Sequence, residues 1–135
     1  LARSSPAITT TTFFRGDPGG ALTLLTERLR LMVEANPWLA GTLMNGNTGL
    51  ELAYPGTFDE DSVAPMINPT RLRGKPCSKR VVLDNTMDYV SVCKAVLKTA
   101  AEVPPGRFCK NKPFPQLALS VVPDAKEPGG YTIFY

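Results

Sequence analysis

The stretch DPGGALTLLTERLRLMVEANPWLAGTLMNGNTGLELAY, from Asp17 to Tyr54, decides how the rest of the chain can fold. Leu22, Leu25, Leu29, Met32 and Val33 recur at helical spacing and share one face of a 3.6-residue period, which makes that face a core face. Thr23, Glu27, Arg30 and Glu34 lie opposite it, with Arg30 and Glu34 spaced i, i+4 for an exposed ion pair worth about 0.3–0.5 kcal/mol. Pro37 stops the helix, because it has no N–H and disfavours helical backbone at Asn36. Trp38 and Leu39 are expected to cover the helix end. Past the stop, Leu39, Gly41 and Leu43 alternate, and so do Leu50, Leu52 and Tyr54, on either side of the turn-forming run Asn45-Gly46-Asn47-Thr48-Gly49. The stretch reads as a helix that feeds an antiparallel hairpin.

Upstream, Ile8 to Arg15 holds four threonines and two phenylalanines, a β-branched and aromatic run suited to a strand. Asp17 before Pro18 then resembles a helix start with proline at the first helical position. The Arg15-Gly16-Asp17 triplet is read as a turn, given the proline and glycines that follow it. Downstream, hydrophobic periodicity fades from Pro55 to Lys79, where four prolines mark a long irregular connection. Arg71, Arg73, Lys75, Lys79 and Arg80 close that connection; such a group can meet phosphate, although charge runs are usually solvated. Val81 to Leu83 is a short apolar run expected to add a strand. Asp84-Asn85-Thr86 then offers capping side chains for a second amphipathic helix over about residues 86–101, with Tyr89, Val90, Cys93, Val96, Leu97 and Ala100 on its apolar face. Val103-Pro104-Pro105-Gly106 ends it, and another irregular stretch follows. Gln116 to Val122 alternates as a strand, and Tyr131 to Tyr135 is a second strand able to pair with it antiparallel.

A chain of 135 residues fits one domain, here 1–135, with 55–79 as its long connection. Fifteen basic and twelve acidic residues leave a net charge of +3, too even a balance to announce nucleic-acid binding. Cys77, Cys93 and Cys109 form no C-x-x-C pair, and with no histidine present the chain lacks the usual zinc spacing, so no metal site is expected. An odd number of thiols fits a reducing, cytoplasmic setting. Cys93 is read as a small core hydrophobe, since no histidine is present to activate it. No apolar run is long enough for a membrane span. The start at Leu1 and the stop directly after a strand both suggest a piece of something longer.

The order of elements, with two local segments, carries a resemblance. Leu29 to Leu43 looks like a helix followed by Pro-x-Leu-Ala-Gly-x-Leu. Pro115-Gln116-Leu117-Ala118-Leu119 with Gly129-Gly130-Tyr131-Thr132-Ile133-Phe134-Tyr135 is similar to a strand pair that precedes a catalytic motif. Over roughly Thr10 to Tyr135 the chain resembles the amino-terminal half of the chloramphenicol-acetyltransferase-like acyltransferases, the superfamily of BAHD acyltransferases, wax ester synthases and peptide-synthetase condensation domains. The resemblance implies that the next residues would hold His-x-x-x-Asp-Gly, whose histidine acts as general base toward a hydroxyl or amine attacking an acyl thioester, usually acyl-CoA. A positioned base of this kind contributes about 10²–10⁴ in rate. This chain contains no histidine, so no catalytic residue is assigned within it and by itself it is expected not to turn over. The resemblance implies acyl-CoA as co-substrate rather than a bound cofactor. It also implies, as partners, the remaining part of the same protein or a complementary chain, together with a small-molecule acceptor. The alternative is a non-catalytic interaction module or assembly subunit that keeps the half-domain fold.

The expected fold is α+β: a mixed or mainly antiparallel sheet with two amphipathic helices on one face. The expected core is Phe13, Leu22, Leu25, Leu29, Met32, Val33, Trp38, Leu43, Leu52, Val90, Cys93, Val96, Leu97, Leu117, Leu119 and Ile133. Ile133 and Tyr135 are the candidates for lining a substrate channel, with packing as the plainer role for each.

Overall fold

A computed structural model describes residues 8–58, 60–68, 71–72, 75–76, 82–99, 110–111 and 115–135. The first strand, β1, runs Thr11–Arg15, and the first helix, α1, runs Pro18–Ala35. Asp17 caps α1, its carboxylate accepting from the N–H groups of Gly19 at 3.0 Å and Gly20 at 2.8 Å, a capping arrangement worth about 1 kcal/mol. The helix stops one residue before Asn36, as Pro37 requires, and Pro37–Ala40 forms a 3-10 turn. The hairpin follows as β2 (Thr42–Asn45) paired antiparallel with β3 (Leu50–Ala53), Leu43 opposite Leu52. Gly41 enters this hairpin buried, where an added Cβ would come within 2.8 Å of the Leu52 side chain and 2.9 Å of the Trp38 carbonyl oxygen. Only glycine fits at that approach.

The expected irregular connection contains structure of its own. A short helix α2 (Glu60–Val63) runs into a 3-10 turn at Ala64–Met66, and Val63 and Met66 are both buried. Two-residue strands β4 (Arg71–Leu72) and β5 (Lys75–Pro76) pair antiparallel. Helix α3 (Tyr89–Thr99) starts later than expected, because Asp88 rather than the 84–86 run caps it, its carboxylate accepting from Ser91 N–H at 2.7 Å. The last strands are β6 (Ser120–Pro123) and β7 (Gly130–Phe134). The side chains of Arg71, Arg73, Lys75, Lys79, Arg80 and Leu97, the thiols of Cys77 and Cys109, and Val81, Ala100 and 101–109 lie outside the described residues.

The architecture is α+β, and the described residues form three antiparallel sheets: β1-β7-β6, β2-β3 and β4-β5. Strand β7 is the middle of the largest sheet, Thr11 standing opposite Phe134 on one side and Ser120 opposite Phe134 on the other. The beginning of the 116–122 run is not strand. Gln116 to Ala118 approach the sheet as an irregular segment, and Leu119 makes a parallel bridge to Ile67 before β6 begins.

Among the described residues two clusters make the core. Leu83, Val92, Val96, Val122 and Phe134 join α3 to the sheet, with Leu43, Met87 and Ala95 packed around them. Leu29, Val33, Val63 and Met66 join α1 to the former connection, with Leu39, Phe58, Ile67 and Leu117 against them. The two helices therefore serve separate clusters. This division corrects several core assignments. Met32 and Trp38 are about half exposed, because α1 is covered only along Leu29 and Val33, and Met32 falls at the rim of that stripe. On α3, Val90 is exposed and Val92 buried: the sheet selects the Val92–Val96 line, which lies partway round the helix from the expected one. Phe13 is 37% exposed on an edge strand, and Ile133 is only half buried while Thr132 and Phe134 are enclosed. Leu22, Leu25, Leu43, Leu52, Cys93, Leu117 and Leu119 are intermediate. Val82 and Leu83 form no strand, but Leu83 is fully buried and its carbonyl accepts from Ala125 N–H at 2.9 Å.

Thr132 carries a hydroxyl that is fully enclosed and has no hydrogen-bond partner among the described residues. An orphaned buried hydroxyl costs about 1–3 kcal/mol, while valine has nearly the same shape. Thr132→Val is expected to leave the fold intact and move the urea midpoint upward or not at all; a clear fall would reveal a partner for the hydroxyl.

Candidate functional site

Strand β7 carries both residues expected to line a channel, and it delivers them to different settings. Ile133 stands between Thr12 of β1 and Val121 of β6, so it is part of the sheet surface. Tyr135 lies just past the strand, where its N–H and C=O extend the ladder by pairing with Thr10 at 3.1 and 2.7 Å, and its side chain is about half exposed. Alternation places Ile133 and Tyr135 on one face with Tyr131 and Phe14. The rings of Phe14 and Tyr131 stack with centroids 5.4 Å apart. This face is apolar and aromatic, with no acid or base placed on it by β7 itself. It suits packing or an apolar ligand rather than proton transfer.

The polar side chains gather at the other end of β7. Asp124 accepts from the backbone N–H of Lys126 and Glu127 at 2.8 and 2.9 Å and from Asn85 N–H at 3.0 Å. Glu127 takes the guanidinium of Arg15 at 2.8 Å on one oxygen and the side-chain amide of Asn85 on the other. Lys126 reaches Asp84 at 3.2 Å and the Thr86 hydroxyl at 2.9 Å. Gly129, at φ 81°, turns the chain back into β7, a left-handed position that favours glycine. Phe13, Phe14, Arg15, Asn85, Asp124 and Glu127 line a shallow recess of about 140 Å³ here.

Each of these carboxylates is satisfied by neighbours. The Thr86 hydroxyl and then its N–H, with help from Lys126, hold Asp84 below the usual 3.8 despite its burial. Backbone N–H groups of Glu127 and Lys126 do the same for Asp124. Such lowered groups suit loop anchoring better than general-base work, which calls for a pKa near the working pH. Because the folded pKa lies below the unfolded one, the stability these groups contribute is complete above about 3.8 and drains away as pH falls through the lowered values. A thermal melt is therefore expected to be insensitive to these groups between about pH 5 and 7 and to fall in midpoint below about pH 4. Asp84→Asn should flatten part of that fall.

A larger open groove of about 750 Å³ runs beside α1, lined by Leu22, Thr23, Thr26, Glu27, Arg30, Val63, Ala64 and Ile67. Among the described residues that line it the one cation, Arg30, is committed to Glu34 at 3.3 Å. Among the described residues no group of three or more metal-ligating side chains occurs, and no helix is long and apolar enough to cross a membrane. The network at 84–86 and 124–127 was not legible as a site, since Asp84-Asn85-Thr86 reads as a cap. No protein-family model, curated protein or solved structure matches this chain.

Proposed function

We propose that this chain is the amino-terminal part of a chloramphenicol-acetyltransferase-like acyltransferase that moves an acyl group from a thioester, acyl-CoA, to a hydroxyl or amine acceptor. The observation that carries this reading is the arrangement around β7. The helix, its Pro37–Ala40 stop, the hairpin and the final antiparallel pair occur in the order the resemblance requires, and β7 is the central strand of the sheet. In this reading the general base comes from the remaining part of the same protein or from a complementary chain, within the cytoplasm. Ile133 and Tyr135 line the approach of the acyl thioester on the apolar face they share with Tyr131. This chain alone contributes scaffold and channel wall, and no turnover.

Peptide sequencing across Tyr135 in the natural protein is the direct test. Finding His-x-x-x-Asp-Gly directly downstream, with acyl-CoA-dependent transfer that falls about 10²–10⁴-fold on replacing that histidine with alanine, is the expected result. A downstream sequence without the motif would reject the reading. It would favour the interaction-module alternative, which draws its support from Trp38, Met44, Leu50 and Tyr54, all of them 44–53% exposed.

A further inference from the structure

We infer that Asn45-Gly46 is a deamidation site that the β2–β3 hairpin holds closed and that opening of the hairpin exposes. Among the asparagines of the chain only Asn45 is followed by glycine, while Asn36 and Asn68 precede proline, which has no N–H to give up. The reaction joins the backbone nitrogen of Gly46 to Cγ of Asn45. That N–Cγ bond forms as the Cγ–Nδ2 bond breaks, and ammonia leaves with the proton that the Gly46 nitrogen loses. Water then opens the cyclic imide at either carbonyl, giving aspartate or isoaspartate. Glycine leaves the attack least hindered, because no Cβ stands beside the nucleophile. Asn45 is exposed, so water and base reach it.

Three features of the folded hairpin oppose the first step. Ring closure needs the Gly46 nitrogen eclipsed with Cβ of Asn45. Asn45 is the last residue of β2, opposite Leu50, and strand backbone with ψ near about 135° swings that nitrogen well out of the ring plane. The Gly46 N–H is also spent, donating to Gly49 O at 2.7 Å across the turn. The Glu51 carboxyl group lies so close to Gly46 that an added Cβ there would overlap it, which sets negative charge beside a nitrogen that must itself become anionic. Asn45 N–H donates to Asn111 Oδ1 at 2.9 Å and so fixes the strand end in place.

The same hairpin opens easily. Neither β2 nor β3 contains a buried residue, and regions with few buried apolar contacts open locally at low cost. On opening, the strand torsion, the Gly46 bond and the Glu51 contact are lost together. Isoaspartate carries the main chain through its side-chain carbon and so lengthens β2 just before the turn. Leu43, opposite Leu52, packs against the cluster of Leu83, Val92 and Phe134, and its carbonyl accepts from Asn111 N–H at 2.7 Å. Conversion at Asn45 therefore loosens β2 over that cluster, and refolding does not reverse it. The site is a one-way record of hairpin opening. The inference stands apart from the acyltransferase reading.

The 135-residue chain is to be held in mildly alkaline buffer, folded and in guanidinium chloride, and followed by peptide mapping that separates asparagine, aspartate and isoaspartate. In the denaturant Asn45 should convert ahead of every other asparagine. In the folded chain it should convert at least roughly tenfold more slowly than in the denaturant. Gly49→Ala separates the restraint from the chemistry. Gly49 has φ 143° with open space around it, so alanine strains the turn without a clash and leaves Asn45-Gly46 intact. This variant should raise the folded rate several-fold and leave the unfolded rate unchanged. Equal Asn45 rates in the folded and unfolded chain, another asparagine converting first in the denaturant, or a folded rate that Gly49→Ala does not raise would overturn the inference.

Discussion

Phe134→Ala is expected to destabilise the chain by about 3–5 kcal/mol. Phe134 is 2% exposed and belongs to one buried cluster with Leu83, Val92, Val96 and Val122, which ties the central strand to α3 and to the segment that precedes it. Truncation would leave a cavity that these neighbours can fill only by moving the helix and strand together. Urea denaturation followed by circular dichroism measures the loss, and Ile133→Ala is the companion experiment. Ile133 is only half buried, so its truncation should cost distinctly less. If Ile133→Ala costs as much as Phe134→Ala, the two faces of β7 are assigned the wrong way round.

Leu29→Ala should cost about 2–5 kcal/mol. At 3% exposure, Leu29 packs with Val33, Val63 and Met66 beneath α1. Met32, three residues along the same helix, is 50% exposed, and Met32→Ala is expected to cost well under 1 kcal/mol because alanine is also the better helix former. The contrast tests the narrowness of the buried stripe. A Leu29→Ala loss below about 1 kcal/mol would place Leu29 on the surface and remove the basis for the α1 cluster.

The contrast between these two residues also shows how far local pattern reaches. Leu29 and Met32 satisfy the same periodicity, and nothing in their spacing distinguishes the middle of the stripe from its rim. The distinction comes from Val63 and Met66, which lie in a proline-marked connection with no amphipathic period of its own. On α3, Val90 and Val92 are equally apolar, and the helix can be turned to bury either. Contact with Val122 and Phe134 chooses Val92. On β7, alternation separates Ile133 from Phe134 without saying which face meets a helix.

The polar network followed the same course. Asp84-Asn85-Thr86 is legible as capping chemistry, but it is separated in the chain from Asp124 to Glu127 by α3, the irregular segment after it and β6. Their meeting depends on Leu83 being buried beside β6 and on Ala125 bonding to the Leu83 carbonyl. A loop-to-loop contact of this kind leaves no periodic trace.

By itself the sequence determined the α+β class, the start of α1 at Asp17-Pro18, its stop before Pro37, the β2–β3 hairpin and the antiparallel pairing of the last two strands. These are decided within a few residues by missing N–H groups, cap side chains, turn residues and period. Only the tertiary structure decided which side of α3 and of β7 faces inward, that the 55–79 connection supplies Val63 and Met66 to the α1 cluster, and that β1 joins β7 as an edge with an open outer row. Those outcomes depend on which apolar surfaces meet, and burial rewards any sufficiently apolar face alike until its partner is in place.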